Sequence, residues 1–274
     1  MKHTFYFGFM QELLAKGAAE AARTAKAFGF DSVEVLEGAG KGYPRIALAE
    51  APAMREAMAA EGVSVACYSV GATLYGSDAV EECLMRHIEV AAALGSPLLH
   101  HTLIFSTREA GPSFEEALAD LVERAVRIAE YAARFGLTVI YEDQGFYFNG
   151  IENFGKFYRA VKSRCANVGV CADFGNILYA DEAPVPFIRA YASEIRHVHV
   201  KDYLFAEAWA EGWQRTAAGH GLKAGVFGEG VVDIPACLAA LREAGYDGAL
   251  AYEVESKPLM EDTARAREYM KTIL

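Results

Sequence analysis

The 274-residue chain lacks several features that mark other classes of protein. Its cysteines are odd in number and scattered without a CxxC pair: they are Cys67, Cys83, Cys165, Cys171 and Cys237. This pattern excludes a disulfide framework and a structural zinc cluster. No apolar run approaches the length of a membrane span, and the apolar stretch near Met1 is too short for a signal peptide. We therefore expect a cytoplasmic protein with no membrane partner.

Clustered basic charge is also missing. The chain carries 26 Lys and Arg against 37 Asp and Glu, a formal net charge of −11, and the basic stretches "RTAKAF" and "KGYPRI" are sparse and interrupted. Affinity for nucleic acid comes mainly from clustered Lys and Arg, so we expect no nucleic-acid partner. The same scarcity leaves no phosphate clamp, which favours an unphosphorylated substrate.

Short apolar runs typical of strands alternate eight times with longer stretches that carry apolar residues at helical spacing. Several helical stretches end in glycine directly before the next strand, as in "AFGF", "ALGS" and "RFGL". Eight strand–helix units in a chain of this length predict an α/β fold with one (β/α)₈ TIM barrel, a single domain over residues 1–274. An open doubly wound sheet is the alternative, but no GxGxxG follows the first strand.

Ionisable residues stand at the ends of four successive predicted strands. The fifth strand, "LTVIYED", carries Glu142, and the sixth, "NVGVCAD", ends on Asp173. The seventh, "IRHVHVKD", contains His197 and His199, and the eighth, "GALAYEVE", carries Glu253. Each residue alone could be a helix cap, a solvated loop residue or a structural histidine. Together, at the end where such barrels keep their functional groups, three carboxylates and an imidazole suit Mn²⁺, Mg²⁺, Co²⁺ or Zn²⁺.

The motifs "VIYEDQG", "VCADFGN", "HVHVKD", "GEGVVD" and "GYDGALAYEVE" follow one another in the chain. With them it resembles the sugar phosphate isomerase/epimerase superfamily, whose xylose isomerase-like barrels include ketose 3-epimerases, hydroxypyruvate isomerases and inosose dehydratases. The resemblance implies that one divalent metal ion, Mn²⁺ as first choice, is held by four ligands: Glu142, Asp173, His199 and Glu253. Strand geometry supports His199, because it lies nearer the rim than His197, which we expect one layer deeper as a supporting or core residue.

The resemblance further implies that the two metal-bound glutamates, Glu142 and Glu253, are the catalytic acid/base pair. Removing a proton next to a carbonyl gives an enediolate, which a metal stabilises as a Lewis acid, and two carboxylates can take and return the proton. We expect isomerisation or epimerisation of a small polyhydroxy ketone or aldehyde. The alternative is a dehydratase of the inosose or dehydroshikimate type, since elimination of water begins with the same step.

Three further residues are predicted to bind substrate: Asn176, His100 and Lys201. Asn176 in "DFGN" occupies a position that often contacts substrate hydroxyls in the superfamily, although it could instead form a turn or cap the next helix. His100 and His101 end the fourth strand, where alternation turns only one of them inward, and we favour His100. Glu34, at the end of the second strand, could line the pocket, lie behind it as a buried acid, or be solvated.

The seventh strand is followed by Lys201, Asp202 and a long insertion rich in glycine and aromatic residues, which holds Trp209 and Trp213. We expect Lys201 and Asp202 to reach the substrate or to pair with each other. The insertion could cover the site or mediate subunit contacts in a dimer or tetramer. Phe205 stands where ketose 3-epimerases of the tagatose type have an arginine, so the resemblance points away from that subgroup.

Two other classes of function compete. A DNA-repair endonuclease of the endonuclease IV type shares the barrel but needs three zinc ions, more histidines and basic loops, and the seven histidines and the charge of −11 count against it. A non-catalytic sugar-binding protein would be favoured by the loss of a ligand glutamate, and none is missing. We therefore expect an enzyme that acts on a small sugar or cyclitol.

Overall fold

Eight parallel strands close into a barrel in the computed structural model, which describes residues 1–104 and 111–274. Numbered along the chain, with three strands of the insertion counted eighth to tenth, they are β1 (Lys2–Phe5), β2 (Ser32–Gly38), β3 (Ser64–Gly71), β4 (Leu98–His101), β5 (Thr138–Glu142), β6 (Val168–Asp173), β7 (Ile195–Val200) and β11 (Ala249–Tyr252). Because β1 pairs with both β2 and β11, the barrel sheet has no free edge. The predicted (β/α)₈ barrel is confirmed.

Helices surround the barrel and bury their apolar faces against it. Those in the described ranges are α1 (Phe9–Lys16), α2 (Ala18–Ala27), α3 (Ala51–Ala60), α4 (Asp78–Ala93), α5 (Phe114–Ala133), α6 (Ile151–Lys162), α7 (Pro184–Ala190), α8 (Ile234–Glu243) and α9 (Leu259–Ile273). None of these described helices is long and apolar enough to cross a membrane. Gly17 separates α1 from α2, and its φ of 82° and ψ of 168° are accessible to glycine but strained for other residues.

The strand register brings four strand ends to one rim. Asp173 on β6 is aligned with His199 on β7, and His199 is aligned with Ala251 on β11, two residues before Glu253. Glu142 is the last residue of β5, the strand next to β6. Since successive side chains on a strand point to opposite faces, these positions turn their polar groups toward the barrel axis. The valines that alternate with His199 pack in the hydrophobic core outside.

The insertion after β7 folds into a three-stranded antiparallel sheet in the spatial order β8 (Asp202–Ala206), β10 (Gly221–Gly225), β9 (Gln214–Arg215). Asp202 fastens both ends of the insertion, because its carboxylate accepts backbone N–H bonds of 2.9–3.1 Å from four residues, Tyr203, Gly228, Gly230 and Val232. The suggested pairing of Asp202 with Lys201 is therefore wrong: backbone donors already occupy both carboxylate oxygens.

Burial of His87 in α4 predicts a loss of stability in mild acid. Its Nδ1 is hydrogen-bonded to the Tyr68 hydroxyl at 2.9 Å, and burial lowers the pKa of His87 to about 4 from an ordinary value of 6.5. Between these two values the unfolded chain binds more protons than the folded one, so the free energy of unfolding decreases as the pH falls from 6.5 to 4. The contribution of this histidine is on the order of 3 kcal/mol.

Urea unfolding of the wild type and of His87→Gln, measured from pH 7 to pH 4, isolates this contribution. The glutamine keeps a hydrogen-bonding group for Tyr68 but cannot titrate. We expect the advantage of the wild type over the variant to shrink as the pH falls. A difference in unfolding free energy that is independent of pH would contradict the prediction.

Candidate metal centre

The four predicted metal ligands converge at the rim of the barrel. One ligand atom from each of Glu142, Asp173, His199 and Glu253 lies within 4.8 Å of the others, and these four residues are here called the candidate metal centre. His199 Nδ1 is 2.6 Å from a Glu142 oxygen, 3.3 Å from Glu253 Oε2 and 3.9 Å from Asp173 Oδ2. An imidazole nitrogen thus faces three carboxylates, while the binding of a metal by these residues stays a prediction.

The turn after β6 orients Asp173. Its Oδ1 accepts backbone N–H bonds from Gly175 at 2.6 Å and Asn176 at 2.7 Å, and its own backbone N–H donates to Asp143 Oδ1 at 3.0 Å. Asn176 begins a short 3₁₀ turn, Asn176–Ala180, so the interpretation of this residue as part of a turn is confirmed. With Oδ1 held by the backbone, Oδ2 of Asp173 is left to face the other ligands.

Two buried carboxylate oxygens without hydrogen-bond partners among the described residues lie at this point. Within residues 1–104 and 111–274, Glu142 Oε2 and Asp173 Oδ2 are buried and have no hydrogen-bond partner. Burial, together with the neighbouring Glu253, raises the pKa of Asp173 well above its ordinary value. A buried carboxylate is costly without a paired charge, and oxygen atoms with one imidazole are a donor set that divalent cations accept. The residues present therefore fit a divalent cation.

Lys201 holds Glu253 in its ionised form. The ammonium Nζ lies 2.6 Å from Glu253 Oε1 and 3.4 Å from Glu255 Oε1. Burial alone would raise the pKa of Glu253, but Lys201 and His199 lower it to about 2. Lys201, predicted to contact substrate, is thus paired with Glu253, one of the two predicted catalytic glutamates. It also lines the cleft described below.

His100 faces the candidate metal centre and His101 does not. His100 Nε2 is 3.6 Å from Glu142 Oε2, and its ring stands edge-on to that of His199. The ring of His101 packs instead against Tyr141, which precedes Glu142 on β5. Burial would raise the pKa of Glu142, but His199 and His100 lower it. The two side chains thus point to opposite faces of β4, which agrees with the predicted choice of His100 over His101.

Glu34 and His197 lie one layer below. Glu34 is not at the end of β2 as predicted but is its third residue, fully buried in the barrel interior. Its Oε2 is 2.6 Å from His197 Nε2 and its Oε1 is 3.2 Å from His199 Nε2. Burial opposes ionisation, yet His199 and His197 hold the pKa of Glu34 well below its usual range. His197 thus occupies the deeper position expected for a supporting residue.

A cleft of about 410 Å³ opens beside Lys201. Its lining combines aromatic rings with amide, hydroxyl and charged groups: Gln144, Gly145, Phe146, Asn176, Tyr179, Lys201, Tyr203, Gln214, Arg215 and Glu255. Gln214 and Arg215 come from β9 and escaped the sequence analysis, because only the fold of the insertion brings them here. On another side of the site, the ring of Tyr6 stacks on His199 with centroids 4.9 Å apart.

Comparison with known proteins gives a family for this arrangement. A family model described as "xylose isomerase-like TIM barrel" matches residues 22–273. Among curated proteins, inosose dehydratase of Geobacillus thermodenitrificans is 25% identical over 266 residues, which cover 89% of this chain and 85% of that protein.

Solved structures share the same architecture. The D-psicose 3-epimerase of Clostridium cellulolyticum H10, solved with D-tagatose, superposes with a TM-score of 0.76 at 14% identity over 100% of this chain and 99% of that one. A xylose isomerase-like TIM barrel protein of Mycobacterium smegmatis, in complex with magnesium, superposes with a TM-score of 0.72 at 16% identity, covering 99% and 96%. At these identities the likeness concerns the fold.

Proposed function

Because the chain belongs to the xylose isomerase-like TIM barrel family, we propose that it is a divalent-metal-dependent isomerase or epimerase of a small polyhydroxy ketone or aldehyde. The observation that carries the proposal is the pair of buried glutamates, Glu142 and Glu253, whose carboxylate oxygens lie 2.6 and 3.3 Å from His199 Nδ1. Two carboxylates at one point provide a proton acceptor and a proton donor for the same substrate.

Glu142, Asp173, His199 and Glu253 are the residues that would hold the cation. Glu142 Oε2 and Asp173 Oδ2, which have no hydrogen-bond partner among the described residues, support this assignment. We propose Mn²⁺ as the native ion, with Mg²⁺, Co²⁺ or Zn²⁺ as alternatives that the same donor set accepts. The magnesium complex of the similar M. smegmatis barrel agrees with an ion of this class.

The proton chemistry belongs to the two glutamates. Glu253, with its pKa lowered to about 2, is ionised at any physiological pH and therefore free to accept a proton. A carboxylate of such low pKa is a weak base, so the substrate C–H bond must be acidified, and a divalent cation held by the four ligands would supply this as a Lewis acid. Glu142 would bind a proton from solvent and deliver it to the substrate, and Glu253 would release the proton it has accepted to solvent before the next turnover. Lys201 holds the Glu253 carboxylate in place through its contact of 2.6 Å.

The cleft beside Lys201 suits a sugar or cyclitol ring. Asn176, Gln144 and Gln214 offer amide groups for hydroxyls, while Tyr179 and Phe146 offer aromatic surface for C–H faces. On this basis we assign Asn176 and Lys201 to substrate contact, and we add His100 because its Nε2 lies 3.6 Å from Glu142 Oε2. A cytoplasmic setting is in keeping with the five cysteines, which are buried as free thiols.

A dehydratase is the second candidate, and one observation favours it. The curated relative that aligns along 85% of its own length is an inosose dehydratase. Elimination of water begins with removal of the same kind of proton, so the glutamate pair serves either reaction. The two functions differ in what happens to the neighbouring hydroxyl group.

Proton exchange in D₂O separates the two candidates. We expect the protein loaded with Mn²⁺, incubated with a panel of ketoses and inososes, to incorporate deuterium next to the carbonyl of one substrate while the product keeps its hydroxyl groups. NMR and mass spectrometry of the product measure both changes. Loss of one water from the product would establish the dehydratase instead, and absence of exchange with every panel member would contradict both. Chelated protein serves as the control.

A further inference from the structure

Glu34 is a buried carboxylate in the barrel interior, directly below the candidate metal centre. The register between β2 and β3 shifts at Val33 and Glu34, and such an irregularity re-aims a strand side chain. The carboxylate receives three polar groups: Ser69 Oγ and His199 Nε2 at its Oε1, and His197 Nε2 at its Oε2. Because Glu34 is fully buried, these three partners determine its hydrogen bonding within residues 1–104 and 111–274.

The first consequence concerns His199. A carboxylate can only accept hydrogen bonds, so the histidine must donate its Nε2–H to Glu34 at 3.2 Å. The other nitrogen, Nδ1, is the one that faces Glu142, Asp173 and Glu253. Its proton is therefore the one that a bound cation displaces, and Nδ1 supplies the electron pair. A histidine ligand whose second N–H donates to a carboxylate has its tautomer and ring orientation fixed.

The second consequence concerns His100, which is connected to Glu34 through the hydroxyl group of Ser69. Ser69 donates its hydroxyl proton to Glu34, so the hydroxyl oxygen is left as the acceptor for His100 Nδ1 at 3.2 Å. His100 then carries its proton on Nδ1 and an electron pair on Nε2. That nitrogen is buried, has no hydrogen-bond partner among the described residues, and is 3.6 Å from Glu142 Oε2.

We propose that Glu34 is a positioning residue that fixes the tautomers of two histidines at once, so that His199 Nδ1 and His100 Nε2 both present electron pairs to the candidate metal centre. In this arrangement His199 ligates the cation and His100 accepts a hydrogen bond from a substrate hydroxyl. The inference rests on the proposed function, because it takes the cation and the polyhydroxy substrate as given.

A second metal ion held by Glu34, His197 and His199 is the competing interpretation, since one ligand atom from each lies within 4.8 Å of the others. The contacts argue against it. Glu34 is joined to the two histidines by direct hydrogen bonds of 2.6 and 3.2 Å and to Ser69 as well. Donors already occupy both of its oxygens, whereas Glu142 and Asp173 each have one oxygen without a partner in the part of the chain that the structure describes.

Titration with Zn²⁺ alone tests whether the hydrogen bond between Glu34 and His199 supports metal binding. We expect Glu34→Leu to bind Zn²⁺ about 10- to 100-fold more weakly than the wild type in calorimetry. His197→Gln is the matched control, because its side-chain amide can still donate to Glu34 Oε2 while the bonds at Oε1 remain, and we expect its affinity within about threefold of the wild type. Zn²⁺ binding by Glu34→Leu at wild-type affinity overturns the proposal.

The imidazole tautomers can be read directly by ¹⁵N NMR of the histidine-labelled, Zn²⁺-loaded protein. We expect the N–H of His199 on Nε2 and that of His100 on Nδ1. Ser69→Ala is a smaller change that we expect to fold even if Glu34→Leu does not. In this variant the tautomer of His100 should no longer be fixed, while that of His199 should be unchanged. A proton on Nε2 of His100 in the wild type, or an unchanged His100 in Ser69→Ala, overturns the proposal. A wild-type chain that binds no Zn²⁺ overturns the candidate metal centre itself, and this inference with it.

Discussion

Replacing Glu253 by glutamine should lower kcat by about 10⁴-fold, the upper end of the contribution of one positioned proton-transfer group, while the barrel stays folded. Glutamine has nearly the same shape as glutamate but can neither accept a proton nor balance the charge of Lys201, which lies 2.6 Å from Glu253 Oε1. The substitution also removes one anionic ligand of the candidate metal centre. Steady-state kinetics, together with deuterium exchange in D₂O, measures the loss of the proton-transfer step itself.

Glu194→Gln is a suitable control for this experiment. Glu194 directly precedes β7, at the opposite end of the barrel, where its carboxylate accepts a hydrogen bond of 2.8 Å from the Tyr158 hydroxyl. It also lies 3.1 Å from a lysine, Lys162, so the substitution breaks an ion pair just as Glu253→Gln does. We expect Glu194→Gln to keep its kcat. A Glu253→Gln protein with wild-type turnover would remove this residue from the acid/base pair.

The barrel could be predicted because its information is local. Each strand–helix unit carries its own hydrophobic period, and eight repeats of that period leave few architectures. The candidate metal centre follows from the same regularity, since Glu142, Asp173 and His199 stand at strand ends that a closed parallel barrel brings to one rim. His199 could be chosen over His197 because both residues share one face of the strand and the later one lies nearer the rim.

The remaining features depend on contacts between distant parts of the chain. Glu34 and His197 are 163 residues apart, and the irregular register at Val33 and Glu34 has no sequence signal. Arg215 reaches the cleft only because β9 pairs with β10 in the insertion. Asp202 has backbone partners as far as Val232, 30 residues on. In each case the determining interaction is tertiary, so local patterns could not reveal it.

Removal of divalent metal should abolish turnover and destabilise the protein. Without the metal, the three buried carboxylates of the candidate metal centre repel one another, and only His199 and Lys201 offset their charge. A cation that binds the folded chain but not the unfolded chain stabilises the folded state. At a metal concentration 100 times the dissociation constant this amounts to about 2.7 kcal/mol, a rise of roughly 5–10 °C in Tm. Chelation followed by dialysis, then return of Mn²⁺, tests both effects by activity assay and by thermal unfolding.

Asp173→Asn identifies the site of the effect. The amide keeps the hydrogen bonds from Gly175 and Asn176 but loses the charge on Oδ2, so Mn²⁺ should no longer raise the Tm. Affinity should also depend on pH: burial and Glu253 raise the pKa of Asp173, so protons compete with the cation there and binding weakens as the pH falls. Undiminished turnover in thoroughly chelated protein would contradict metal dependence. A Tm that responds equally to Mn²⁺ in Asp173→Asn would show that the ion binds elsewhere.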